Sequence, residues 1–331
     1  MPLKPLLKRG ALLTAANWPT VAIQFVSGMT LQMLVAVPLI GAAILLAVLL
    51  GADMASLLRG GVRQMFTTIA SALLSEPVAL VAFVTAFSLA LLGGSALMFI
   101  VKGGVVEVLV EANRKAGPIE HEPLTVDGLG RAAQFSLARF TSGCARLSGP
   151  YLALGCVLIV VYAVSVGGYL AFVVYGYRAV EGRALVIGWT FIAALATAGL
   201  VVWITLVNLV YLLLQIAMAV EGVGLGRACR AAAWFIRAEY RELAGVALVV
   251  LGLVVAATLA SALAWSGVGL IAFVPLVGLA VFPLQIAALL VRGLVFEYLG
   301  LTAFGAYLTL YQQYSTVQSH VSLLTSPPSR A

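Results

Sequence analysis

The stretch "ALVIGWTFIAALATAGLVVWITLVNLVYLLLQIAMAV", residues 184–220, runs for 37 residues between Arg183 and Glu221 without a charged side chain. As one helix, rising 1.5 Å per residue, it would be about 55 Å long. The hydrocarbon core of a bilayer is about 30 Å thick and takes roughly 20 apolar residues. The run is therefore too long for one perpendicular crossing and too short for two crossings joined by a turn. It is expected to form a single tilted helix that crosses once and continues past the membrane on the side of Glu221.

Working outward from it, five more uncharged apolar runs lie near Val26–Leu50, Val78–Val101, Tyr151–Tyr175, Leu243–Ala264 and Val268–Val291. With Ala184–Gln215 they make six spans. Composition agrees: 63% of the 331 residues are hydrophobic and 9% charged, with a mean hydropathy of +1.12. A soluble domain carries roughly 25% charged residues to cover its surface, so lipid must solvate much of this chain. The expected fold class is an all-α polytopic integral membrane protein. One transmembrane domain over 1–314 and a polar tail over 315–331 are expected, the tail rich in Ser and Pro.

Orientation follows from the basic residues, because loops rich in Lys and Arg stay cytoplasmic. With six spans, one side holds 15 of the 19 Lys and Arg, among them Lys4, Lys8, Arg9, Lys102, Arg114, Lys115 and the arginines from 131 to 146 and 227 to 241. The other side holds only Arg59, Arg63, Arg178 and Arg183. The expectation is a bacterial cytoplasmic (inner) membrane protein with both termini cytoplasmic. The net charge of +7 then reflects topology and attraction to lipid, with no soluble basic domain left to grip nucleic acid. Asn17, Trp18 and Pro19 interrupt what would be the apolar part of a signal peptide, so the start reads as an interfacial anchor.

The pentapeptide "GLGRA" occurs at Gly128–Ala132 and again at Gly224–Ala228. In register with it, Leu147 matches Leu243, Gly149 matches Gly245 and Leu152 matches Leu248. Each copy precedes a span, and two spans separate them, so the pattern is that of a parallel internal repeat. Its unit is a glycine turn, a basic amphipathic surface helix (near 131–148 and 227–242) and a span. On each helix the arginines cluster on one face: Arg131, Arg139 and Arg146 in the first copy, Arg227, Arg230, Arg237 and Arg241 in the second. They are expected to meet anionic lipid headgroups. A further amphipathic surface helix is expected near 54–74, and Tyr307, Tyr311 and Tyr314 share a face as interfacial aromatics do.

Catalytic patterns are missing from the sequence. Neither His121 nor His320 has a neighbour at metal-ligand spacing, and Glu120, His121 and Glu122 read as a solvated loop. Nucleophile-elbow, zincin, Walker A and dinucleotide-binding motifs do not occur. No catalytic residue, metal or enzymatic activity is expected. The polar groups left at membrane depth are neutral: Asn208, Gln215 and Gln285 stand out, and in lipid such groups bond between helices. Ala256, Ala260 and Ala264 form a small-residue ladder suited to close helix contact or to a flat apolar ligand.

The segments "AMAVEGVGLGRACRAAAWFIRAEYRELAGVALVVLGLVV" (217–255) and "VFEYLGLTAFGAYLTLY" (295–311) resemble uncharacterised bacterial six-span membrane proteins. Those are similar to the membrane domain attached to some glycerophosphodiester phosphodiesterases. The resemblance implies an acidic residue ending a span, an amphipathic stretch and two further spans. It does not carry over the phosphodiesterase activity, because no such catalytic domain lies within these residues. The expected function is a non-enzymatic accessory or scaffold subunit, partnered by membrane lipids and other integral membrane proteins. It would hold lipid or an apolar cofactor of the carotenoid or quinone type. The alternative is a permease or lipid transporter with its path along the Asn208/Gln215 face.

Overall fold

The computed structural model describes residues 3–50, 77–121, 125–180, 186–272 and 275–325. Among them every regular element is helical: α1 (Leu3–Ala16), α2 (Trp18–Leu50), α3 (Pro77–Lys115), α4 (Val126–Ala132), α5 (Leu137–Val180), α6 (Val186–Glu221), α7 (Leu225–Ala238), α8 (Tyr240–Ala272) and α9 (Pro275–Thr325). Six of the helices are long and apolar enough to cross a membrane. The protein is an all-α, multi-pass membrane protein. The expected surface helix near 54–74 lies outside the described residues.

The chain forms two compact units, one of residues 23–101 and the other of residues 1–22 with 102–331. In the smaller unit, Leu31 of α2 lies against Gly94 of α3, where any Cβ would collide with its side chain. Gly93 and Gly94 sit within a continuous helix, and the missing side chain of Gly94 lets Leu31 of α2 approach it.

The larger unit has its core where the basic residues are. Buried apolar side chains come from Leu6 and Leu13 of α1, Val105–Ala112 of α3, Leu147–Leu154 of α5, Leu213–Ala219 of α6, Phe235 of α7, Leu243 and Val246 of α8, and Leu301–Tyr311 of α9. The long helices overshoot the apolar depth and pack there on one another. α6 does so as a single helix of 36 residues ending at Glu221, as its uncharged run requires. Glycine sets the closest approach: a Cβ on Gly305 would lie 3.0 Å from the Gly10 Cα, so α1 and α9 meet backbone to backbone.

Several expectations change here. Residues 131–148 are not one surface helix: α4 stops at Ala132, residues 133–136 are extended, and 137–148 form the first turns of the continuous α5. Asn17 holds that break. Its Nδ2 donates to the Ala132 and Leu13 carbonyls at 2.9 Å, and its Oδ1 accepts from the Gln134 amide at 2.8 Å. Among the described residues positive φ occurs at Gly117 (65°) and Gly222 (63°), where α3 and α6 end, in the left-handed region that favours glycine. Of the GLGRA glycines, Gly224 is the extended N-cap of α7, and Gly128 and Gly130 lie within α4.

Three more corrections concern the chain's ends and its fifth loop. The N-terminal segment is a helix docked in the core, with Leu6, Gly10, Leu13 and Thr14 buried, while Trp18 at its end is 67% exposed. α8 continues to Ala272 and α9 begins at Pro275, so the expected break near residues 265–267 is displaced. Proline suits a first helical position, where its missing N–H has no partner to lose. Finally, α9 runs on through the start of the polar tail to Thr325.

Candidate functional site

At membrane depth α5 and α6 form an antiparallel pair joined by a ladder of hydrogen bonds. The Tyr151 hydroxyl donates to the Gln215 carbonyl at 2.9 Å, and Tyr162 donates to Asn208 Oδ1 at 2.5 Å. Further along, the Trp203 indole N–H donates to Ser165 Oγ at 2.9 Å, and Tyr169 and Thr197 share a hydrogen bond of 2.6 Å. Each rung removes a polar atom from hydrocarbon, where an unpaired one is costly. Trp189 closes the far end over Gly176 and packs on Phe172 with ring centroids 4.9 Å apart.

Two grooves flank the ladder. One, of about 290 Å³, is lined by Leu154, Val157 and Val161 of α5 and Val207, Val210 and Leu214 of α6, among others. The other, of about 420 Å³, is floored by Gly168 and Gly199 beside Tyr169, Phe172 and Trp203. Both are open and mainly apolar, and Ser165 and Tyr169 of the second are hydrogen-bonded within the ladder. Among the described residues no cluster of His, Cys, Asp and Glu could hold a metal ion, and Cys144, Cys156 and Cys229 are free thiols.

The expected polar residues thus divide. Asn208 bonds across to α5, as proposed for a neutral group in lipid. Gln215 is buried at the packed end, with its carbonyl as the Tyr151 acceptor. No hydrogen bond joins Gln285 to another described residue. The structure does not bring these three together into one path.

The expected headgroup arginines also divide. Arg227 and Arg230 on α7 are exposed. Arg237 lies over the Trp234 ring, 6.0 Å from its centroid, and Arg241 over Tyr240 at 5.6 Å. In the first copy Arg131 is exposed at the end of α4. Arg146 pairs with Glu107 of α3, and Arg139 donates to the Gln134 carbonyl and, at 3.1 Å, to its side-chain oxygen. Arg139 and Arg146 of the first copy therefore bind protein. The aromatic residues change role as well: Tyr307, Tyr311 and Phe235 are buried instead of facing headgroups.

The partners of other charged groups at this end escaped the sequence reading. Arg9 caps the C-terminus of α3: its guanidinium donates to the Asn113 and Gly117 carbonyls at 2.9 and 2.6 Å and to Asn113 Oδ1 at 2.7 Å. It also pairs with Glu120 at 2.6 Å, the two side chains being 11% and 7% exposed. Glu120 is therefore no solvated loop residue, although His121 beside it is exposed. Asn113 extends the network to α9 through Gln312 at 2.8 Å and Thr309 at 3.2 Å. Lys102 lies in mid-helix on α3, 5.4 Å from the centre of the Tyr211 ring and within electrostatic reach of Glu297. Nothing local in the sequence marks these partners, which lie about a hundred residues or more apart. Comparison with protein-family models, with curated proteins and with solved structures gives no match.

Proposed function

We propose that the protein is a non-enzymatic accessory or scaffold subunit that packs against other integral membrane proteins and holds lipid, or an apolar cofactor of the carotenoid or quinone type, at their contact. One observation carries this reading. Gly252, Ala256, Ala260 and Ala264 recur every fourth residue on α8, and all four are exposed. Nothing lies within 4 Å of where a Gly252 Cβ would be. Small-residue ladders at membrane depth let a second helix approach closely, and among the described residues nothing covers this one at Gly252. The permease reading has less support, because Asn208 is spent on Tyr162 and Gln215 lies buried at the packed end.

The test is Ala260→Leu in the full chain, with complexes extracted in mild detergent and weighed by native mass spectrometry. The expected result is a defined complex that loses its partner in the variant. A chain that extracts alone before and after substitution would sink the reading. The same reading puts the basic ends of the helices in the cytoplasm of a bacterium. A cysteine at Glu181 should then be labelled from outside intact cells and one at Gln318 should not.

A further inference from the structure

Where α6, α7 and α9 meet at the basic end, Glu221, Ala231, Trp234, Tyr311, Tyr314 and Ser315 line a cavity of about 400 Å³. Three of the six are aromatic and one is a carboxylate. The rings are held in place: Phe235 packs edge-on to Tyr311 at 5.0 Å between centroids and against Tyr314 at 5.3 Å. The carboxylate is also held, since the Tyr311 hydroxyl donates to Glu221 Oε1. Among the described residues no Lys or Arg forms an ion pair with Glu221. Ser315 spends its proton on the Gln312 carbonyl at 2.9 Å, which leaves its oxygen free to accept.

Aromatic faces and a carboxylate together attract an alkylammonium group. The hydrogen-bonding groups favour a primary ammonium, whose three donors suit the Glu221 and Ser315 acceptors. A bare cation would still be opposed by Arg227, Arg230 and Arg237 on α7. Arg237 lies over the ring of Trp234, which lines the cavity. An anion without an amine would satisfy those arginines and leave Glu221 facing it. A ligand with both charges, ammonium inward and phosphate outward, meets both demands.

We infer that this cavity binds a zwitterionic phosphoethanolamine group, with its ammonium against Glu221 and the rings, and its phosphate on the arginines of α7. The inference deepens the lipid-binding part of the proposed function and rests on it. The assignment of the group to a site is independent of whether a protein partner exists.

The full chain, stripped of lipid in detergent, is titrated with short-chain phosphatidylethanolamine, phosphatidylcholine and phosphatidylglycerol, and bound species are counted by native mass spectrometry. Phosphatidylethanolamine should bind in preference to the other two. Glu221→Gln, which keeps an acceptor for Tyr311, should weaken that binding at least about tenfold, the loss expected for a charged hydrogen bond. Trp234→Ala, at an exposed ring, should weaken it by a smaller factor without disturbing the fold. Free phosphoethanolamine as competitor separates the sources: displacement marks a soluble ligand, and no displacement marks a lipid held also by its tails. Equal binding of phosphatidylglycerol, or undiminished binding in Glu221→Gln with an unchanged helical spectrum, would overturn the assignment. Loss of all lipid classes from the unsubstituted chain would instead remove the lipid-binding reading on which it rests.

Discussion

The two ends of α5 and α6 are built differently. At the basic end Tyr151, Leu154, Leu213 and Ile216 are buried, and arginines are tied to carbonyls and carboxylates. Toward the other end Val164, Phe172, Ile187, Phe191 and Leu195 are exposed, and the two helices touch chiefly through their tyrosine and tryptophan rungs. Water explains the contrast. Where the helices overshoot the bilayer, apolar side chains gain from leaving water, by roughly 25 cal/mol per Å². Within lipid that gain vanishes, since acyl tails are as apolar as leucine, and association must rest on packing and hydrogen bonds. The chain therefore concentrates its own cohesion at one end and leaves its apolar depth to lipid or to partners.

The strongest challenge to that contrast is Arg9→Ala. It strands Glu120 and uncaps α3, and should destabilise the protein by about 3–5 kcal/mol, as loss of one partner from a buried pair does. Unfolding in detergent, followed by circular dichroism, measures it, and a loss below about 1 kcal/mol would mean that stability does not reside at this end.

A matched pair of glycines sharpens the comparison. Gly10→Leu drives a side chain into the backbone of Thr302 and Ala306 and should be destabilising by about 1–3 kcal/mol or more. Gly168→Leu, at membrane depth with nothing within 4 Å, should change stability by no more than about 0.5 kcal/mol. Equal effects would erase the distinction between the two regions.

The two GLGRA copies make a subtler comparison. Arg227→Gln with Arg230→Gln should weaken retention of anionic lipid by about 1 kcal/mol per residue, an effect that added salt screens. Arg146→Gln should instead lower stability through Glu107 and leave lipid retention unchanged. Like behaviour of both sets in lipid retention would restore the equivalence that a strict repeat requires. The smallest effect is expected of Asn208→Leu, about 0.6 kcal/mol for a typical interhelical bond. If that variant folds and assembles normally yet abolishes transport, the permease reading replaces the scaffold.

Much of the helix plan was legible in the sequence. Apolar run length alone predicts α6 as one helix, because lipid forbids unpaired backbone and charge over that distance. The copies of GLGRA were legible as words but not as structure. Ala132 and Ala228 are buried alike, and so are Leu147 and Leu243, so the apolar register is shared. The breaks are not: the first falls after Ala132, where Asn17 from the turn between α1 and α2 satisfies the Gln134 amide and the Ala132 carbonyl, and the second falls at Glu239. Similarly, the stripe of Tyr307, Tyr311 and Tyr314 is visible in the spacing, but a stripe does not state what it faces.

The amino-acid sequence by itself determined that this is a helical membrane protein, where its apolar runs lie and which ends of its helices are basic. These are one-dimensional properties, set by transfer of each side chain and each peptide group between water and lipid. Only the tertiary structure decided which arginines meet protein and which stay exposed, that Glu120 belongs to Arg9, and that Glu221 lies among aromatic rings. Those outcomes depend on hydrogen-bond geometry within a few ångströms between residues such as Arg9 and Asn113, 104 positions apart, and no local pattern encodes such a meeting.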